Sequence, residues 1–186
     1  MKILRCLVLA VLASQSFAAS PITFENGDRV VFVGGTFVER MARFGYLETA
    51  LTLALHDKKL TFRNLGWSAD TVRGESRGYD KPQTGYSNLL ANVRQANPTL
   101  LFLAYGAAES WEREPAKFIT EYQRLLNELK PLGARIVLVS PILQENWGKP
   151  MPDPTQHNAG GHDQVLRLVE VDAEFLEQTI VLLALS

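Results

Sequence analysis

Three short segments carry groups suited to chemistry at a hydroxyl. Gly34-Gly35-Thr36 lies between an apolar run and an amphipathic one. Its glycines let the chain turn sharply, and Thr36 can cap the helix that follows. A hydroxyl there becomes a nucleophile if a base lies beside it, and the first N–H groups of the helix can meet an oxyanion. From the turn alone, a simple N-cap threonine is the favoured reading. The lysine that accompanies a phosphate-binding glycine loop is missing. Asn64-Leu65-Gly66 brings a glycine N–H to a second turn, for a ligand or for the turn only. Gly106-Ala107-Ala108-Glu109 adds a carboxylate, Glu109, whose commoner role is a solvated loop residue.

A polar stretch from Gly66 to Gly85 is long for a compact domain, which points to function. With its surroundings it holds Trp67, Ser68, Asp70, Arg73, Glu75, Arg77, Tyr79, Asp80 and Tyr86. Aromatic and charged side chains together suit a polar, sugar-like ligand. The competing reading is a salt-bridged lid without a ligand. The candidate substrate-loop residues are Trp67, Ser68, Asp70, Arg73 and Glu109. His56, His157 and His162 have no metal-ligand spacing, and no metal or other cofactor is expected.

These segments need elements to hold them. Asp28 to Val33 and Thr99 to Tyr105 read as buried strands, and Leu60 to Leu65 and Arg135 to Ser140 as two further strands. Between them, Phe37 to Leu55 reads as one helix with Phe37, Met41, Phe44, Leu47, Leu51 and Leu55 on one face. Tyr86 to Ala96 is a second helix, ended by Asn97-Pro98, and a third opens at Pro115 with Phe118, Tyr122, Leu125, Leu129 and Leu132 inward. Strands alternating with helices predict an α/β fold with a mostly parallel sheet covered on both faces. Ligands of such sheets bind beyond the carboxyl ends of the strands, where the candidate segments lie.

The chain of 186 residues begins with Lys2 and Arg5, an apolar run from Cys6 to Leu12, and Ser16-Phe17-Ala18. Those are the three parts of an export signal, residues 1–18, cut near Ala18. Its apolar run is too short to remain as a membrane span. Removing it takes away Cys6, the single cysteine, and so any disulfide or thiol nucleophile. The net charge of −1 for the whole chain becomes slightly more negative, with no basic block to bind nucleic acid. The expected location is secreted or periplasmic.

In order and spacing, the three segments resemble the blocks of the SGNH/GDSL hydrolases. The stretch from Gly34 to Arg77, with Phe37-Val38-Glu39-Arg40 and Arg63-Asn64-Leu65-Gly66-Trp67-Ser68-Ala69-Asp70-Thr71, is similar to a branch found in exported bacterial proteins. The likeness covers roughly Asp28 to His157. It implies a flavodoxin-like three-layer α/β/α sandwich and hydrolysis of small or carbohydrate-linked acyl esters through an acyl-enzyme, without a cofactor. Thr36 falls at the nucleophile position, and the N–H groups of Thr36 and Gly66 at the oxyanion site. The family's serine is Thr36 here, its first-block acid is Gly35, and its amide donor is Ala108. No Asp-x-x-His motif occurs, which makes His157 the best available base.

The domain is expected over 19–161, followed by a tail over 162–186. Gln164 to Leu185 reads as one apolar-periodic run. It forms either a long helix closing a reduced domain or the product of a changed reading frame near Ala159. The second, which is favoured, would leave the domain without its last strand and histidine loop. Beside the hydrolase stands an alternative: an inactive binding domain or remnant of the same fold.

Overall fold

The computed structural model describes residues 22–79, 81–111, 115–149, 153–171 and 180–183. The export segment 1–18, Asp80 and positions 172–179 of the tail lie outside the described residues.

The four expected strands form: β1 (Arg29–Gly34), β2 (Thr61–Gly66), β3 (Leu100–Ala104) and β4 (Arg135–Val139). A fifth, β5 (Ile180–Leu183), pairs with β4. All pairings are parallel, in the order β2-β1-β3-β4-β5. The apolar runs of β1, β3 and β4 are continuous because both faces of the sheet are covered there, while β2, at the edge, is only partly buried. Alternate side chains divide between two cores. Val31, Val33, Leu101, Leu103, Ile136 and Leu138 face one, and Val30, Phe32, Leu100, Phe102, Val137 and Val139 the other.

The first core is closed by α3 (Gly85–Ala96), α4 (Pro115–Leu129) and α6 (His162–Val171), through Leu89, Val93, Phe118, Tyr122, Leu125, Val165 and Leu168. Fully burying each such leucine or phenylalanine stabilises by about 1.5–3 kcal/mol. The second core receives Val38 and Met41 of α1 (Thr36–Phe44) and Leu51 of α2 (Tyr46–Ala54). Helices therefore lie on both faces, in three layers.

Two expectations need correction. The single helix over Phe37 to Leu55 is two helices. Gly45 sits at φ 63°, a left-handed conformation that glycine adopts without strain, and its N–H bonds to the Met41 carbonyl, which ends α1. The intended inward stripe is broken accordingly, and Phe44 is 62% exposed. The tail is also not one helix, because beyond α6 it holds the strand β5. The last strand is present. Ile180-Val181-Leu182-Leu183 suits pairing with the otherwise open edge of β4.

Candidate active site

Thr36 begins α1 directly after β1. Its hydroxyl oxygen accepts the Ala69 N–H at 2.9 Å. Among the described residues no histidine is hydrogen-bonded to it; the ring of His157 is bonded elsewhere. Gly66 ends β2 where the strand touches α1, backbone to backbone. A Cβ there would lie 2.2 Å from the Glu39 nitrogen. The Gly66 N–H donates to the Asn64 side-chain oxygen at 2.8 Å, and the Asn64 amide donates to the Val38 carbonyl at 2.7 Å. The expected oxyanion donor is thus engaged within the turn.

The loop after β2 is folded into the body. Asp70 is 1% exposed. Its carboxylate accepts from Arg77 Nε at 2.6 Å, the Tyr105 hydroxyl at 2.9 Å and the Ser76 hydroxyl at 3.1 Å. Desolvation still dominates and holds its pKa above the ordinary aspartate value, against the pull of Arg77, Tyr105 and Ser76. Burial also pushes the Tyr105 phenol well above its ordinary value, so it stays a neutral donor. Glu109 is buried, taking the Val72 N–H at 2.8 Å and the Gly106 N–H at 2.9 Å. Arg73 bridges Glu75 at 3.0 Å and Glu121 at 2.6 Å. Trp67 and Ser68 are exposed; the Arg77 guanidinium lies over the Trp67 ring, and the Ser68 hydroxyl reaches Glu39 at 3.4 Å. Charge pairing and loop anchoring account for Asp70, Arg73 and Glu109.

A cleft of about 260 Å³ opens beyond the ends of β1, β3 and β4. The chain runs from β1 outward to β2 and then returns to β3 on the opposite side of β1. Phe37 comes from one side of that switch, and Ala104, Tyr105, Ala107 and Ser110 from the other. Among the described residues that the sequence offers as catalytic, oxyanion or substrate-loop candidates, His157 alone lines this cleft. It stands on α5 (Thr155–Gly160), and its Nδ1 lies 3.2 Å from the Ser110 hydroxyl. Both residues are under a tenth exposed. The Trp111 ring packs against the imidazole at a steep interplanar angle of 67°. His162 also lines the cleft, with Nδ1 donating to the Pro141 carbonyl at 3.0 Å.

The sequence explains this meeting. Gly106, at φ +115°, opens a tight turn in which the Ser110 N–H bonds to the Gly106 carbonyl at 2.9 Å. Gly160 and Gly161 let α5 press against that turn. A Cβ on Gly161 would lie 2.6 Å from the Gly106 oxygen, and one on Gly160 3.0 Å from the Ser110 oxygen. His157 is carried to Ser110 by this contact. Asp153 does not orient the ring: its carboxylate takes the Thr155 N–H at 2.9 Å and the Thr155 hydroxyl at 2.6 Å. Ser110 was not singled out from the sequence, although it directly follows Glu109. The available signal was the Gly160-Gly161 pair three residues after His157.

Among the described residues, no three His, Cys, Asp or Glu side chains gather as a metal site. No helix among them is long and apolar enough to cross a membrane.

No family model matches the chain, and no curated protein matches it in sequence. Solved structures do match in fold. The acetyl xylan esterase AlAXEase aligns with a TM-score of 0.63 at 17% identity, over 84% of this chain and 76% of its own. A catalytic mutant of Axe2, an acetylxylan esterase from Geobacillus stearothermophilus, aligns with 0.61 at 18% identity, over 86% and 77%. BT4096, a gut microbial diltiazem-metabolizing enzyme, aligns with 0.56 at 16% identity over 87% of this chain, which spans 37% of that enzyme's length. The parallel five-stranded sheet, its two helical layers and these matches together give the chain the three-layer α/β fold of these esterase structures.

Proposed function

We propose that this chain is an exported ester hydrolase that acts on small or carbohydrate-linked acyl esters through an acyl-enzyme. The observation that carries the reading is a hydroxyl and an imidazole in contact, Ser110 and His157 at 3.2 Å, within a cleft at the switch point of the sheet. That pairing is what nucleophilic acyl transfer requires. Acetyl xylan esterases among the fold neighbours favour a small acyl group on a sugar. The leader at 1–18 favours work outside the cytoplasm, and N-terminal sequencing of the exported protein is expected to begin at Ala19.

The test is acetate release from p-nitrophenyl acetate and from acetylated xylo-oligosaccharides by the purified protein. Turnover with an initial burst of nitrophenol supports an acyl-enzyme. Absence of turnover on both substrates overturns the hydrolase reading.

A second reading, a binding domain without turnover, has its own support. The Gly66 N–H is taken by Asn64, the Thr36 oxygen by Ala69, and position 108 is alanine. Binding of xylo-oligosaccharides in calorimetry without acetate release would favour it.

A further inference from the structure

We infer that Ser110 is the nucleophile of this site and His157 Nδ1 the base that receives its proton, in place of the Thr36 hydroxyl. The inference rests on the ester-hydrolase reading above and gives it a different reacting atom.

Three observations converge. Ser110 lines the cleft, and its oxygen lies within hydrogen-bond reach of an imidazole. Thr36 does not line the cleft, and its hydroxyl oxygen accepts a backbone amide instead. The Ser110 hydroxyl has two acceptors for its one proton, the Ala107 carbonyl at 2.7 Å and His157 Nδ1 at 3.2 Å. Rotation about Cβ–Oγ moves the proton from the carbonyl to the imidazole, with the ring neutral and its own proton on Nε2. The two glycines that seat α5 hold this geometry on backbone contacts.

The chemistry balances without a cofactor. Ser110 Oγ attacks the ester carbonyl carbon as its proton passes to Nδ1. Collapse of the tetrahedral intermediate breaks the bond to the alcohol oxygen, which leaves with that proton. Water then attacks the acyl carbon, gives a proton to Nδ1, and Ser110 Oγ departs with it. The described lining of the cleft includes no Asp, Glu, Lys or Arg, and Phe37, Ala104, Val139 and Ile142 form apolar wall. An uncharged acyl group fits that lining.

The experiment treats the full chain with a fluorophosphonate ester, maps the adduct by peptide mass spectrometry, and measures p-nitrophenyl acetate hydrolysis in parallel. One adduct is expected, on Ser110. Ser110→Ala should abolish it, and His157→Gln should slow both labelling and hydrolysis by about 100-fold or more. An adduct on Thr36, or Ser110→Ala hydrolysing at the wild-type rate, overturns the inference and leaves ester hydrolysis standing. An adduct on Ser110 without turnover of any ester keeps the nucleophile and overturns the hydrolase. Neither adduct nor turnover overturns both. The position of the adduct is read on the unmodified sequence, so it does not depend on a variant folding.

Discussion

The Thr36 hydroxyl oxygen accepts the amide of Ala69 at 2.9 Å, across the gap between the turns that follow β1 and β2. Ala69 is held at φ 56°, a left-handed conformation costly for alanine, so the bond fixes a strained turn. Thr36→Val keeps the shape and removes the acceptor. It is expected to lower stability by about 0.5–1.5 kcal/mol, with Thr36→Ser close to wild type. Denaturant unfolding measures the loss. Faster exchange of the Ala69 amide in Thr36→Val should accompany it.

The end of β2 and the first turn of α1 are in backbone contact at Gly66. Any Cβ there meets Glu39 and Val38 backbone at 2.2 and 2.5 Å. Gly66→Ala must push α1 away from the sheet and is expected to destabilise by about 1–3 kcal/mol or more. The shift should also break the Asn64–Val38 bond. Urea unfolding checks the energy. A chemical-shift change at the Asn64 side-chain amide checks the geometry.

Asp70 and Arg77 form an ion pair with side chains 0% and 2% exposed. Removing one partner leaves the other charge buried, so Asp70→Ala should cost about 3–5 kcal/mol. The pH dependence has a definite sign. Desolvation, the largest influence, raises the Asp70 pKa above 3.8 in spite of Arg77. The folded state therefore holds this proton more tightly than the unfolded chain, and stability falls as pH rises from the ordinary value through the folded one. The advantage of wild type over Asp70→Asn should shrink across that window in unfolding titrations.

Asp28 has the opposite sign. Burial pushes its pKa up, but the Glu25 N–H, the Thr99 hydroxyl and Arg135 together bring it below 3.8. Arg135 reaches both carboxylate oxygens, at 2.8 and 2.6 Å. The stabilisation is complete above the ordinary aspartate value and is lost as pH falls through the lowered one. Asp28→Asn should cost about 2 kcal/mol at neutral pH, allowing for solvent screening at Arg135, whose side chain is 32% exposed, and progressively less in acid. Thermal unfolding of both proteins between neutral and strongly acid pH tests it.

β1, β3, β4, two of the helices and the parallel sheet were legible in the sequence because burial on both faces demands continuous apolar runs and amphipathic helices between them, whereas β2, at the sheet edge, carries no such run. The break at Gly45 was less legible, since the apolar period passes through it while the backbone does not. β5 was missed because Ile180 to Leu183 suits a helix as well as a strand, and the open edge of β4 decides between them. At the site, the sequence by itself determined which turns lie at the carboxyl edge and that a hydroxyl follows β1. It did not determine which hydroxyl meets an imidazole. Ser110 and His157 come from different elements, and the approach of α5 allowed by Gly160 and Gly161 brings them together. Asp70 and Glu109, charged and candidates for substrate contact in one dimension, turn inward because buried Arg77 and the amides of Val72 and Gly106 need partners. Local pattern sets the elements; distances between elements are set only when the whole core packs.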